Sequence, residues 1–596
     1  MTARRGTEAP RLKISTLSPH LSQPVKAKAP LVSTEKSSSC RSRAAVWRQR
    51  YGSHALVFLG LLAILGGYGW LQAINFHASY GEPDITAYLW QAKRFAQFAP
   101  PAVQAENPFQ FQEHMWVETS AGLVTSKYAP GLPLLMAIPW RVLGEVGPYL
   151  VNPVAGYLTL LGAFLLFCLW MDRWSALCAT AVTGALGRFL IYTDYPLAHG
   201  VEMALTVWGM WLLTRWIRQP TRLTGLLAGA FLGFAVLVRH TSILLAPCVI
   251  AALCFVAWDA RRHRHWPAWS PLVALTTGYA VFPLALGGWN WCLFGLPWRT
   301  GYALSHEQAA FSWAALQTKV PGLLHLITQN VSPALLFLGL FGLGCNGPAR
   351  ERVLRWLWGV PPILLYSAYY FWPDEPSVLR FLLVAWPLWT GCAFGLLASL
   401  PVGRLVRGSA AGLLLLLCLW HQGTVLQQAC RGQLLAPLTP RPAAACAALE
   451  TRLPNHAVLF TRALPYHGVE ERRAWQVYNL ELFTRARLSA FSDIAAHAAA
   501  GTPRWPPERT RRFREFYTTA TDTRLRHWQN LLVTEALAAG KPVWFVLPPG
   551  QAAKEWKQLP RELEALPHGT LSSDDNLSLY EIRRRPVPAL TGLVRP

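Results

Sequence analysis

NFHASYGEPDITAYLWQAKRFAQ at residues 75–97 and SKYAPGLPLLMAIPW at residues 126–140 lie near the two ends of one loop. The loop follows the long apolar run ALVFLGLLAILGGYGWLQAI at residues 55–74. About 20 apolar residues in a helix cross the hydrocarbon core of a membrane, so this run predicts a first spanning helix. Acids, aromatic residues and Pro-Gly turns therefore stand directly at a membrane boundary. We therefore predict that the loop at residues 75–143 forms half of an active site at a membrane surface.

The composition indicates the protein class. The chain has 596 residues, of which 52% are hydrophobic and only 14% are charged, and this is typical of an integral membrane protein. The formal net charge is +24, but the basic residues stand in short clusters between apolar runs, which argues against nucleic-acid binding. The 11 cysteines are scattered without CxxC or Cys/His zinc spacing, so they predict neither a structural metal site nor a disulfide framework.

Further apolar runs predict a polytopic α-helical membrane protein with about 11 spans. The runs after the first lie at residues 148–171, 175–193, 199–217, 223–238, 241–258, 268–290, 325–344, 356–371, 378–398 and 409–429. Residues 131–143 are too short to cross and contain Pro133 and Pro139, so we expect a helix that lies along the surface or re-enters the membrane.

Arginines in the short loops predict the orientation of these helices. Loops on the cytoplasmic side carry Lys and Arg under the positive-inside rule. With the N-terminus in the cytoplasm, five short inner loops carry arginine, at Arg173, at Arg215, Arg218 and Arg222, at Arg261, Arg262 and Arg264, at Arg350, Arg352 and Arg355, and at Arg404 and Arg407. The loop at residues 75–143 then lies on the outer face.

Three segments of different composition predict three domains. Residues 1–50 are basic and rich in Ser and Pro, which predicts a disordered cytoplasmic tail, and residues 51–430 hold all the spans. Residues 431–596 predict a soluble extracytoplasmic α/β domain. Its expected strands lie at residues 457–460, 543–547 and 577–582, and its expected helices at residues 467–486, 523–539 and 552–565.

Glu82 and Asp84 are the acids that follow the first span. A carboxylate at a membrane boundary beside Tyr88 can be partly desolvated, and it can then act as a general base towards a hydroxyl or an amine. Alternatively, Asp84 caps the helix that the following residues predict.

Basic residues elsewhere predict contacts to an anionic ligand. Lys127, in one turn with Tyr128, either pairs with a phosphate at headgroup depth or snorkels to the interface. Arg239 and His240 lie between apolar runs, where a buried charge needs a counter-ion or an anionic ligand, and phosphate suits Arg. Arg380 stands at the mouth of a later span, where it fits an anchor in an aromatic belt.

Asp194, His199 and Glu202 cluster at the predicted start of the fourth span, where ionisable residues serve either function or structure.

The sequence has no Walker loop, GxSxG, HExxH or dinucleotide fingerprint in a convincing context, and no DxD pair. ATP-driven transport, several hydrolase classes and a metal-chelated nucleotide sugar are therefore not indicated.

The order of six motifs resembles the GT-C superfamily, the polytopic glycosyltransferases that use lipid-linked sugars, and in particular its protein O-mannosyltransferase and aminoarabinose transferase branch. The motifs are EPDITAYLWQAKRFA, KYAPGLPLLMAIPW, DYPLAHGVEMAL, GFAVLVRHTSILLAP, NWCLFGLPWRTGY and RFLLVAWPLW. The resemblance covers residues 55–430. Each motif is degenerate alone, and their order carries the weight.

The resemblance implies an inverting transfer of a hexosyl or pentosyl group from a polyprenyl-phosphate sugar to an acceptor hydroxyl or amine. The acceptor would be a protein, a lipid or a glycan, and the reaction would take place at the outer face of a bacterial inner membrane. Asp84 matches the family's general base, but Glu82-Pro83-Asp84 replaces adjacent acids and leaves open which carboxylate acts. No metal motif is present, and a divalent metal is left open as a cofactor.

Further site residues follow from the same resemblance. Positions suited to the donor phosphate are Lys127, Arg239 and Arg380. Those assigned to the acceptor or the sugar are Tyr88, Tyr128, Asp194, His199 and His240; His240 stands where Pro or a small residue is commoner.

Two other functions stay open. One is a lipid-linked glycan ligase or polymerase. The other is a non-enzymatic lipid or polysaccharide transporter or flippase, for which we would expect ionisable residues near the bilayer midplane and paired repeats. The ionisable residues gather instead on one predicted side of the membrane, which favours catalysis at a surface.

Overall fold

The computed structural model describes residues 36–76, 83–104, 115–262, 269–305, 311–345, 347–369, 376–434, 448–449, 451–461, 475–483, 521–557, 559–572 and 577–586. Met1–Leu56 and Val57–Pro596 are two units, and the features discussed below lie in the second. Residues 1–35 of the predicted tail lie outside the described residues. A helix begins at Lys36 and runs through the apolar segment to Asn75.

The α-helices before the C-terminal region number seventeen among the described residues. They are α1 (Lys36–Asn75), α2 (Pro83–Ala96), α3 (Gly131–Leu143), α4 (Val151–Trp170), α5 (Arg173–Ala185), α6 (Gly187–Tyr192), α7 (Ala198–Arg218), α8 (Arg222–Val238), α9 (Ala246–Arg262), α10 (Trp269–Phe294), α11 (Gly301–Leu304), α12 (Trp313–Asn330), α13 (Pro333–Cys345), α14 (Ala349–Ser367), α15 (Trp386–Ala398), α16 (Arg404–His421) and α17 (Gly423–Cys430). Within the same described parts of the chain, three 3-10 helices join some of them, at Gly144–Leu150, His240–Leu245 and Pro376–Ala385.

The helices form an integral membrane protein, as the composition predicts. Six helical segments in the described parts of the chain are long and apolar enough to span, and a seventh is Val320–Asn330 with Pro333–Cys345, a pair bent by 114°. The expected count of 11 is therefore not confirmed. One reason is that helices break inside the apolar runs, as at Leu186, whose extended backbone separates α5 from α6 within the run at residues 175–193.

The first loop contains the two predicted helices, α2 and α3. Between them lies an antiparallel hairpin of β1 (Trp116–Glu118) and β2 (Val124–Ser126), and its second strand leads into Lys127. On α3, Leu134, Ile138 and Val142 are exposed at a spacing of four residues, so they form one apolar stripe. Such a stripe suits contact with lipid. The helix falls within the candidate span Gly131–Trp170, and its expected surface-lying or re-entrant placement stays a prediction.

Gly301, at the start of α11, packs directly on the backbone of Lys127. A Cβ at position 301 would lie 2.3 Å from the Lys127 carbonyl oxygen. We therefore expect Gly301→Ala to push the two segments apart and to destabilise the protein by about 1–3 kcal/mol, as overpacking does. Thermal unfolding of the purified protein in detergent measures the change.

Gly412→Ala is the matched control, because a Cβ at position 412 of α16 would meet nothing within 4 Å. Equal unfolding temperatures for the two variants would contradict the close approach.

The C-terminal region has the predicted α/β character. Five strands form one sheet in the order β4-β3-β5-β7-β6, with β3 parallel to β4 and β5, and with β7 antiparallel to β5 and β6. The strands are β3 (Val458–Thr461), β4 (Gln476–Asn479), β5 (Val543–Leu547), β6 (Leu563–Ser572) and β7 (Leu577–Arg584), and the helices are α18 (Asp522–Ala538) and α19 (Pro549–Trp556).

Two expected helices of this region differ from the observed elements. The expected helix at residues 467–486 is wrong at Gln476–Asn479, which is strand β4 because it pairs in register with β3. The expected helix at residues 552–565 starts earlier, at Pro549, and ends at Trp556, before β6 begins at Leu563. Pro560 lies between the two elements, where a proline stops a helix. The expected strands correspond to β3, β5 and β7, and the helix at residues 523–539 corresponds to α18.

Candidate active site

Asp84 lies in the first turn of α2 and is bound from two sides. Its Oδ1 accepts a hydrogen bond of 2.6 Å from the Tyr128 hydroxyl, and its Oδ2 lies 3.2 Å from Nη2 of Arg380. Because α2 begins at Pro83, Asp84 is inside the first turn rather than at the cap, and the helix dipole favours a carboxylate there. The side chain is 17% exposed, so it is reachable from outside. Glu82 lies outside the described residues.

Two stacked tyrosines form the wall beside this carboxylate. The rings of Tyr88 and Tyr128 lie 4.3 Å apart, and both residues are buried. Burial first, and the nearby charge of Asp84 second, raise the pKa of each hydroxyl above its ordinary value. Tyr128 therefore remains protonated over the whole physiological pH range and stays a hydrogen-bond donor to Asp84.

Lys127 is buried between aromatic rings. Its Nζ lies 5.3 Å from the ring centre of Tyr128 and 5.3 Å from that of Tyr302, and the residue is only 3% exposed. Cation–π contacts of this kind attract an ammonium group to the faces of the rings and so hold it in place. The same Tyr302 ring packs against His240 at 5.7 Å.

Arg239 is buried where α8 ends, and side chains from two other helices, α7 and α14, hold it. Its Nη1 donates to Oε2 of Glu202 at 2.9 Å and lies 2.9 Å from Nδ1 of His199, both on α7. Its Nη2 donates to the hydroxyl of Tyr366 on α14 at 2.8 Å. The Ser242 hydroxyl donates to the other oxygen of Glu202 at 2.6 Å. The guanidinium is therefore fixed in one orientation.

Phe381 links the two arginines. The guanidinium carbons of Arg239 and Arg380 each lie 5.2 Å from its ring centre, and Tyr366 stacks on it at 4.9 Å. The structure thus brings Asp84, Arg380 and Arg239 into one continuous cluster.

The remaining predicted residues lie at different depths in this region. His199 belongs to the Arg239 network. His240 begins a 3-10 helix, and both of its ring nitrogens are buried without a hydrogen-bond partner among the described residues. Asp194 is fully buried in the turn between α6 and α7, close enough to act electrostatically on Tyr68 of α1. Asp194 therefore lies beside α1, and its expected contact with the sugar stays a prediction.

Sequence reasoning did not assign four members of this cluster. Glu202 stands near His199 in the sequence, but no role was predicted for it. Phe381 directly follows the predicted phosphate ligand Arg380. Tyr302 ends the aromatic motif at residues 290–302. Tyr366 carries no signal, since it is one aromatic residue in a long apolar run.

The Tyr128 hydroxyl gives a direct test of how Asp84 is held. A hydrogen bond to a charged group contributes about 1.5–3 kcal/mol, so we expect Tyr128→Phe to reduce activity about 10- to 100-fold while the ring stacking is kept. Steady-state rates on the purified protein measure this.

Tyr279→Phe is the matched control, because the Tyr279 hydroxyl is buried without a hydrogen-bond partner in the described part of the chain. A Tyr128→Phe enzyme as active as this control would show that the hydrogen bond to Asp84 is dispensable.

Among the described residues, no group of three or more His, Cys, Asp or Glu side chains is placed to hold a metal ion. The cluster around Asp84 is instead one carboxylate beside cationic and aromatic side chains. Such a group can remove a proton and can bind an anion.

Comparisons with known proteins find similarity in fold. No family model and no curated protein matches the sequence. The crystal structure of ArnT from Cupriavidus metallidurans bound to undecaprenyl phosphate matches with a TM-score of 0.52 at 12% identity, over 88% of this chain and 98% of that chain. The apo crystal structure of ArnT matches with a TM-score of 0.51 at 11% identity, over 89% of this chain and 98% of that chain.

Proposed function

Because this chain has the GT-C fold, we propose that it is an inverting glycosyltransferase that uses a polyprenyl-phosphate sugar. The observation that carries the proposal is the contact of Asp84 with Arg380 inside a cluster that also holds Lys127 and Arg239. A carboxylate that can take a proton lies there beside cations that can hold a phosphate. Glycosyl transfer from a lipid phosphate needs both in one place.

The donor phosphate would bind to Lys127, Arg239 and Arg380. Guanidinium groups match the geometry of phosphate oxygens, and an ammonium adds a point charge. The ArnT structure that shares this fold was solved with undecaprenyl phosphate bound. A lipid carrier of this kind suits an integral membrane protein, because its chain can stay in the bilayer while its phosphate enters the cluster.

The chemical step is a single displacement at the anomeric carbon. Asp84 takes the proton from the acceptor hydroxyl or amine, and the acceptor oxygen or nitrogen forms a bond to that carbon. The bond from the carbon to the phosphate oxygen breaks, and its electron pair leaves with the polyprenyl phosphate. The cations stabilise the charge that grows on the leaving phosphate. The anomeric configuration inverts.

Arg380 connects the two halves of this step. It contacts Asp84 and lies over the Phe381 ring, and a donor phosphate bound beside Phe381 would meet the same guanidinium. Its ion pair places a positive charge directly beside the Asp84 carboxylate. Glu82 remains an alternative base.

Sugar and acceptor contacts fall to the aromatic and imidazole side chains. Tyr88 and Tyr128 lie beside Asp84, and His199 lies beside Arg239. His240 offers one donor and one acceptor nitrogen, which suits a sugar hydroxyl. Asp194 is the more distant candidate. The site would face the outer side of a bacterial inner membrane, with residues 431–596 as a separate extracytoplasmic domain.

The decisive experiment uses purified full-length protein, a labelled polyprenyl-phosphate sugar and candidate protein, lipid and glycan acceptors. We expect acceptor-dependent release of polyprenyl phosphate and transfer of a single sugar. Transfer of a whole lipid-linked glycan would indicate the ligase or polymerase. Movement of the lipid across vesicles without cleavage would indicate a flippase and would reject the proposed enzyme.

A further inference from the structure

Glu202 is a buried carboxylate whose two oxygens are both in use. Oε2 accepts from Arg239 at 2.9 Å, and Oε1 accepts from the Ser242 hydroxyl at 2.6 Å. The side chain is 5% exposed. The two contacts tie the start of α7 to the end of α8 and to the 3-10 helix that follows it, so Glu202 would act on the reaction through Arg239 and through its charge.

The charge of Glu202 extends into the candidate phosphate site. Glu202 is in direct contact with Arg239, and among the charged groups that act on Tyr88 beside Asp84 it is the weakest, after Asp84, Arg239 and Arg380. In a poorly solvated site, a carboxylate this close to Arg239 cancels part of the attraction that the arginine exerts on an anion. The contact with Glu202 thus orients the Arg239 guanidinium and also weakens its attraction for an anionic ligand.

Substrate and product differ in charge in a way that makes this useful. The donor is a phosphate diester with one negative charge, whereas the product is a phosphate monoester whose second ionisation lies near pH 6. Close to neutral pH the product is therefore the more negative of the two. A cluster of cations alone would bind the product more tightly than the donor and would slow its release.

We propose that Glu202 is a positioning residue that holds Arg239 and lowers the affinity of the site for the polyprenyl-phosphate product. The proposal rests on the proposed function. Removing the charge of this buried partner of Arg239 is therefore expected to increase the affinity of the site for the phosphate, whereas the loss of a structural contact would decrease it.

The test is the Kd of undecaprenyl phosphate for purified full-length protein in detergent micelles at pH 7.5. Glu202→Gln keeps the shape and can still accept from Arg239, but it removes the charge. We expect its Kd to fall on the order of tenfold, and product inhibition of transfer to increase in parallel. A purely structural role for Glu202 would raise the Kd instead, because Arg239 would be misplaced.

Three controls separate charge from structure. Glu351→Gln removes another buried carboxylate that pairs with an arginine, Arg218 at 2.7 Å, about 22 Å along α14 from Tyr366. Ser242→Ala removes the hydrogen bond that the Ser242 hydroxyl donates to Glu202, but it removes no charge. Glu202→Asp keeps the charge. None of the three is expected to tighten binding of undecaprenyl phosphate.

A double variant covers the case in which Glu202→Gln does not fold. Glu202→Gln/Arg239→Gln removes both charges of the pair, and it is expected to bind undecaprenyl phosphate about tenfold more tightly than Arg239→Gln alone. An unchanged or higher Kd in Glu202→Gln relative to wild type, or in the double variant relative to Arg239→Gln, would overturn the inference and leave the proposed function intact. A wild-type protein that binds no polyprenyl phosphate would instead reject the proposed function itself.

Discussion

An Asp84→Asn protein is expected to insert into the membrane normally and to transfer no measurable sugar. Asn has the same shape and still accepts the hydrogen bond from Tyr128, but it cannot take a proton from the acceptor. General base catalysis contributes about 10²- to 10⁴-fold, and at the upper end of this range the remaining rate falls below detection. The measurement is acceptor-dependent release of polyprenyl phosphate, with membrane insertion followed by protease protection.

The matched control for this variant is Glu535→Gln, which makes the same chemical change at an exposed position of α18. It is expected to transfer sugar at the wild-type rate. Full activity in Asp84→Asn would remove the central claim and would direct attention to Glu82. Loss of both insertion and activity would show that Asp84 is needed for folding.

The second large effect is expected at Arg239. Arg239→Gln removes a positive charge that would stabilise the leaving phosphate, and the loss of one such donor reduces kcat by about 10²- to 10³-fold. The change also leaves Glu202 as a buried carboxylate without its partner, which is destabilising by about 3–5 kcal/mol in known cases. Both the transfer rate and the unfolding temperature should therefore fall.

The double variant Arg239→Gln/Glu202→Gln distinguishes these two effects. It removes the unpaired charge, so the unfolding temperature should recover most of what Arg239→Gln loses. The transfer rate should stay low, because the positive charge is still missing. Recovery of activity together with stability would mean that Arg239 serves the fold and not the phosphate.

The Arg239 network differs in kind from the contact between Asp84 and Arg380. Arg239 is held by Glu202, His199 and Tyr366, so its orientation is set before any ligand binds. Arg380 has Phe381 beneath it and Asp84 beside it, and a phosphate could share it with the base. Preorganised charge is the more effective stabiliser of a transition state, which is why Arg239 is expected to show the larger effect.

The sequence by itself determined the membrane class, the helices of the loop at residues 75–143 and the sheet character of the C-terminal region. These features depend on local properties: the length of an apolar run, its periodicity and the Pro and Gly residues that end it. Strands β3, β5 and β7 were predictable for the same reason, since each is a short apolar run with polar residues around it. The resemblance in motif order agrees with the fold that this chain shares with the ArnT structure.

Only the tertiary structure decided which charges meet. Asp84 and Arg380 are 296 residues apart in the chain, and Arg239 and Tyr366 are 127 residues apart. No local pattern encodes such contacts, because they depend on how helices pack and where they break. The strand at Gln476–Asn479 has the same cause, since pairing with β3 overrides a helical pattern. The role of Glu202 became visible only once α7 and the end of α8 were seen side by side.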